Sequence, residues 1–132
     1  MKILDTVVLI ASLDPMHPLF NKAVQHLYSV RTANDIFVLC LTLHECNLVL
    51  RKRKFPPSQR ERIFRNIALI IPKQKLIPTE ASIIAEAEHM AANRRAHGGL
   101  FDVLIAAAAK MYNADVISTD SAFDKMGVKR IW

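Results

Sequence analysis

The chain of 132 residues has the size of one compact domain, 1–132, and its 52% hydrophobic and 23% charged residues exclude disorder. Eighteen Lys and Arg against twelve Asp and Glu leave a formal charge of +6, which favours polyanionic partners, nucleic acid first, although many proteins are this basic without such a partner. Two cysteines, Cys40 and Cys46, exclude a disulfide scaffold, Asp5 interrupts the signal-like start MKILDTVVLIASL, and no apolar run reaches membrane-spanning length, so the expectation is a cytoplasmic protein without membrane contact.

In chain order, short apolar or β-branched runs alternate with segments of helical period. The runs at residues 1–4, 36–41, 75–78, 115–118 and 128–132 read as about five strands. Between the first two, Leu19, Ala23, Leu27 and Val30 form the buried stripe of a long helix. After the second strand, Thr42 and Glu45 have the spacing of a capping box opening the helix LHECNLVLRK. The segment RKRKFPPSQRER, with Pro56 and Pro57 between two basic helical ends, reads as an exposed corner. Ile63, Phe64, Ile67 and Ile71 mark the next helix, stopped by Pro72. Ile83, Ile84, Ala87, Met90 and Ala91 mark another, and after the break at Gly98 and Gly99 comes LFDVLIAAAAKMY, apolar almost all round and therefore central. The alternation predicts an α/β fold with a central parallel sheet and helices on both faces.

Four carboxylates stand where a strand gives way to a helix or where a helix begins. Asp5 follows the first strand and Asp120 follows the strand DVIS; each also has a plain explanation as a helix cap. Asp102 opens the most apolar helix, where the helix dipole favours it but its apolar neighbours strip its solvation. Glu45 carries the capping-box explanation. In a parallel sheet all strands end on one side, where ligands bind, so these side chains can meet. Clustered acids repel one another and a divalent cation relieves the repulsion; oxygen-only ligands suit Mg²⁺ or Mn²⁺.

Other chemistries lack their residues. His44 and Glu45 begin a zinc-protease motif, but the second histidine position is Leu48. The cysteines lack zinc spacing, and there is neither a GxSxG elbow nor a phosphate-cradling glycine loop. His17, His26 and His89 read as surface or half-buried residues.

The segments ILDTVVLIA, LTLHECNLVLRK, LFDVLIAAAA and VISTDSAF, in this order, resemble the PIN-domain family of ribonucleases over nearly the whole chain, and within it the single-domain toxin-like (VapC-like) members. The resemblance implies a three-layer α/β/α sheet of about five strands with the first and fourth adjacent. It implies catalytic and metal-binding roles for Asp5, Glu45, Asp102 and Asp120 with one or two Mg²⁺ or Mn²⁺ ions. Ser118 and Thr6 match hydroxyl positions that would orient the carboxylates. Two positions depart from the family pattern: Ala122 stands where a further acid is common, with Asp124 as the auxiliary candidate, and Val7 where a hydroxyl residue is common.

The implied activity is RNA hydrolysis by metal-activated water, with an antitoxin protein as partner and a homodimer as the assembly. Basic groups at residues 51–54, Arg60, Arg62, Arg65, Arg94 and Arg95 are candidates for guiding RNA, or a merely solvated helix end in the case of RKRK. The alternatives are an RNA-processing or quality-control nuclease and a non-catalytic RNA- or protein-binding module on the same fold.

Overall fold

The computed structural model describes all of residues 1–132. Its centre is the strand Lys2–Leu4 (β1), in which Ile3 and Leu4 are fully buried but belong to two different apolar clusters. That split is the period-2 alternation of a strand covered on both faces. Ile36–Leu39 (β2) and Asp115–Ile117 (β4) flank β1, and Leu76–Ile77 (β3) and Arg130–Ile131 (β5) form the edges. The order is β3-β2-β1-β4-β5 and every pairing is parallel, so all five strands end on the same side.

The apolar stretch after Asp5 is a short helix, Thr6–Ala11 (α1). It shares one face of the sheet with Phe20–Thr32 (α2), Cys40–Lys52 (α3) and Pro57–Ile70 (α4), around Leu4, Val38 and Ile117. The other face, around Ile3, Leu39 and Val116, is covered by Ala81–Ala92 (α5), Leu100–Met111 (α6) and the short Ala122–Lys125 (α7). The three-layer α/β/α expectation holds. In α6 the residues Ile105, Ala106, Ala107, Ala108 and Ala109 are all buried. Their small side chains let the helix axis approach the sheet, and Ile105 alone gains roughly 2 kcal/mol by leaving water.

Some local expectations change. Strand β2 stops at Leu39 because Cys40 already begins α3, so Thr42 and Glu45 lie inside the helix and form no capping box; the N-cap Leu39 makes no side-chain cap. On α5 the buried stripe is Ile83, Ala87 and Met90, with Ile84 and Ala91 exposed. Helices α3, α5 and α6 end through left-handed residues that are not glycine, Lys54, Arg94 and Asn113. At each, the next amide turns back onto the helix: Phe55 N to Leu50 O, Arg95 N to Met90 O and Ala114 N to Ala109 O. No helix is long and apolar enough to cross a membrane.

Candidate active site

The strand order reverses between β1 and β4, and the register pairs Leu4 with Ile117. The next residues, Asp5 and Ser118, therefore face each other at the carboxyl edge of the sheet, where such folds bind ligands. Asp5 N donates to Ile117 O at 3.2 Å, continuing the ladder by one bond. Asp5 is also the N-cap of α1: its Oδ1 accepts from Thr6 N at 2.6 Å and its Oδ2 accepts from the Ser118 hydroxyl at 2.6 Å. Capping and a place in the site coexist here. Ser118 Oγ in turn accepts from Asp120 N at 3.0 Å, and Asp120 Oδ1 accepts from Ala122 N at 2.8 Å at the entry to α7.

Glu45 comes from the second turn of α3, and its Oε2 accepts a short hydrogen bond from the Thr6 hydroxyl. Thr42 secures the same helix start, its hydroxyl 3.5 Å from Leu4 O. Asp102, the third residue of α6, accepts Gly99 N on Oδ2 at 2.6 Å. Asp5, Glu45, Asp102 and Asp120, delivered by four separate elements, all line one cavity of about 380 Å³. The hydrogen bonds leave Glu45 Oε1, Asp102 Oδ1 and Asp120 Oδ2 without protein partners.

The electrostatics record the crowding. Burial pushes the Asp5 carboxyl up to about 6 against the pull of Ser118 and Thr6, with Glu45 and Asp102 adding to the rise. Burial also raises Glu45, opposed by Thr6 and reinforced by Asp102. Asp102 is raised by burial, opposed by the Gly99 amide and reinforced by Asp120. Oxygen donors that resist ionisation together are what a hard divalent cation stabilises. No group of three His, Cys, Asp or Glu side chains is arranged to hold an ion as it stands. The donor set fits such an ion in chemistry, while ligation requires these carboxylates to close in on it.

The model of the PIN domain family matches residues 2–129. The chain belongs to the PIN domain family. Among solved structures, FitAcB from Neisseria gonorrhoeae is similar with a TM-score of 0.74 at 22% identity, over 100% of this chain and 97% of that one. FitAB bound to an IR36 DNA fragment gives 0.73 at 22% identity, over 99% and 94%. VapBC2 from Rickettsia felis, bound to a DNA fragment from their promoter, gives 0.74 at 17% identity, over 98% and 96%. No curated protein matches the chain significantly. At these identities the likeness is one of fold.

In this PIN domain Asp124 does not join the acids. Its Oδ2 is taken by Arg130, at 2.9 Å from Nη2 and 3.2 Å from Nε, and it does not line the cavity. Its side chain is half-exposed and held by Arg130, so the acid missing at Ala122 has no replacement there. Val7 lines the cavity as an apolar wall, as do Ile10 and Ala11. Of the basic residues noted in the sequence, Arg53 alone lines the cavity, and Arg65 is paired with Glu61. His17 and Thr119, which had no assigned role, line it too. The signal for Arg53 was its spacing: Glu45, Val49 and Arg53 recur every four residues and so share one face of α3.

The glycine pair of this PIN domain does more than break a helix. Gly98 has φ +83, and a Cβ there would lie 2.6 Å from Asp102 Oδ2. At Gly99 the corresponding contact is 3.4 Å. Gly98→Ala is therefore expected to destabilise by about 2 kcal/mol, through the left-handed backbone and the displaced carboxylate, whereas Gly99→Ala stays within about 0.5 kcal/mol. Urea denaturation of the two variants checks this, and equal midpoints would remove the argument for Gly98.

Proposed function

We propose that this protein is a Mg²⁺- or Mn²⁺-dependent endoribonuclease, one nuclease domain over residues 1–132, acting in the cytoplasm as the toxin of a toxin–antitoxin pair. The observation that carries the reading is that Asp5, Glu45, Asp102 and Asp120 line one cavity at the carboxyl edge of the sheet in a PIN domain. The fold likeness to FitAcB and VapBC2 agrees with the resemblance to toxin-like members, which also brings an antitoxin partner and a homodimer into the proposal.

When bound, one or two ions would lower the pKa of water for attack on phosphorus and offset charge on the phosphoryl oxygens. The four carboxylates would hold them, Asp5 from its buried position and the other three through their unpartnered oxygens. Ser118 and Thr6 keep Asp5 and Glu45 oriented, since each hydroxyl donates to one carboxylate oxygen. Val7, Ile10 and Ala11 give the cavity an apolar wall on the α1 side.

The test is cleavage of labelled RNAs of varied sequence. Cutting with Mn²⁺ and none with EDTA is expected. Cutting that persists in EDTA would end the metal-dependent reading, and no cutting of any RNA with Mn²⁺ would end the nuclease reading. Growth arrest on expression, relieved by a co-expressed neighbouring small protein, is the expected sign of the toxin role.

A further inference from the structure

We propose that Arg53 forms a subsite for a phosphate of single-stranded RNA flanking the scissile one, so that the groove between α1 and α3 sets the path of the strand. This rests on the nuclease reading above. The cavity runs between α1, which contributes Val7, Ile10 and Ala11, and α3, which contributes Glu45, Val49 and Arg53. Eight residues of helix separate Glu45 from Arg53, about 12 Å along the axis. Glu45 and Arg53 thus leave α3 about two turns apart along one side of the cavity.

Arg53 is an uncommitted donor. It forms no salt bridge and no side-chain hydrogen bond, although four carboxylates line the same cavity. Its backbone is nevertheless fixed. Arg53 is the C-cap of α3, and the helix is closed by Lys54 at φ 61, Lys54 N to Arg51 O at 2.9 Å and Phe55 N to Leu50 O at 3.0 Å. Phe55 packs against the cluster that contains buried Leu50, which anchors the corner. A left-handed lysine costs of order 1 kcal/mol, a strain retained here at the end of the groove. His17 lines the same cavity, and its Nδ1 accepts from Leu19 N at 3.1 Å. With Nδ1 accepting, Nε2 is the ring's donor, a second one beside Arg53. A planar guanidinium and an imidazole N–H suit phosphate oxygens, and the acidic stretch beside them repels a phosphate unless a cation is present.

The experiment measures binding of a labelled single-stranded RNA in EDTA across a salt series, and its cleavage with Mn²⁺. Arg53→Gln is compared with Lys52→Gln, which removes the same charge from the same helix end but does not line the cavity. Arg53→Gln is expected to bind about tenfold more weakly. Its log–log salt slope should be smaller by about 0.7, one phosphate contact in a single strand. Cleavage should show KM raised about tenfold with kcat nearly unchanged, the mark of a contact made equally before and during reaction. Lys52→Gln should stay within about twofold of wild type. Equal effects of the two variants, or a fall in kcat at constant KM, would overturn the subsite while leaving the nuclease reading standing. Loss of binding and slope confined to Arg53→Gln, in a protein that cuts no RNA with Mn²⁺, would keep a phosphate contact at Arg53 but remove the nuclease reading, and with it the scissile phosphate that the subsite flanks.

Discussion

Asp5→Asn is expected to make the metal-free protein more stable at pH 7.5 while abolishing RNA cleavage. Asp5 is 5% exposed, and its carboxyl is pushed up from 3.8 to about 6. A native carboxyl with a raised pKa holds its proton more tightly than the unfolded chain does, so stability falls as pH climbs from about 4 through about 6. The loss at neutral pH is of order 3 kcal/mol. Asparagine never ionises, and its amide keeps an acceptor for Thr6 N and a donor toward Ser118. The variant should therefore melt about 5 °C or more above wild type in EDTA at pH 7.5, with the gap closing near pH 4. Mn²⁺ should raise the Tm of wild type and not of the variant, because an ion that binds only the native carboxylate set stabilises only that state. A variant less stable than wild type in EDTA at pH 7.5 would show that the Asp5 carboxylate stabilises the fold directly.

Asp102→Asn separates chemistry from folding in a different way. Asp102 is half-buried and its Oδ2 accepts Gly99 N, a bond that an asparagine oxygen can reproduce at the same place. Stability should change by less than about 1 kcal/mol. Cleavage should fall by more than about 100-fold, since even residues that only support metal ligands cost that much when altered. Retained wild-type turnover on RNA with Mn²⁺ would remove Asp102 from the proposed site. Together the two variants predict one protein stabilised and one unchanged, both inactive.

Much of the fold was legible because its signals are local. Strand-like runs and helical stripes appear in the sequence at the places where all five strands and the long helices form. The adjacency of β1 and β4 came from family resemblance, since pairing between distant segments leaves no local pattern. The four carboxylates were visible as acids at element boundaries, and the structure brings them to one cavity. Capping explained Asp5 correctly as far as it went; Asp120 stands one residue before the N-cap Ser121 and accepts the first amide of α7, and for Glu45 the cap fails because α3 begins at Cys40 and Glu45 accepts from Thr6 of another helix. Asp124 was the auxiliary candidate for the acid missing at Ala122, and no local pattern announces Arg130 arriving from β5 to hold it. Gly98 was read as punctuation, and Arg53 as one of a basic run that either guides RNA or is a solvated helix end, because a φ value and the groove that a helix faces leave no local pattern.

The bond from Ser118 to Asp5 joins residues 113 positions apart. Strand β1 is made well before its partner β4 and the aspartate beyond it. Until then β1 has one paired edge, against β2, and one open edge that can recruit foreign strands. Closing so long a loop is a late and slow event, and nascent or truncated chains lacking residues 115–120 cannot assemble the carboxylate cavity at all. The carboxylate cavity therefore stays open on one side until residues 115–120 have been made and have docked beside β1.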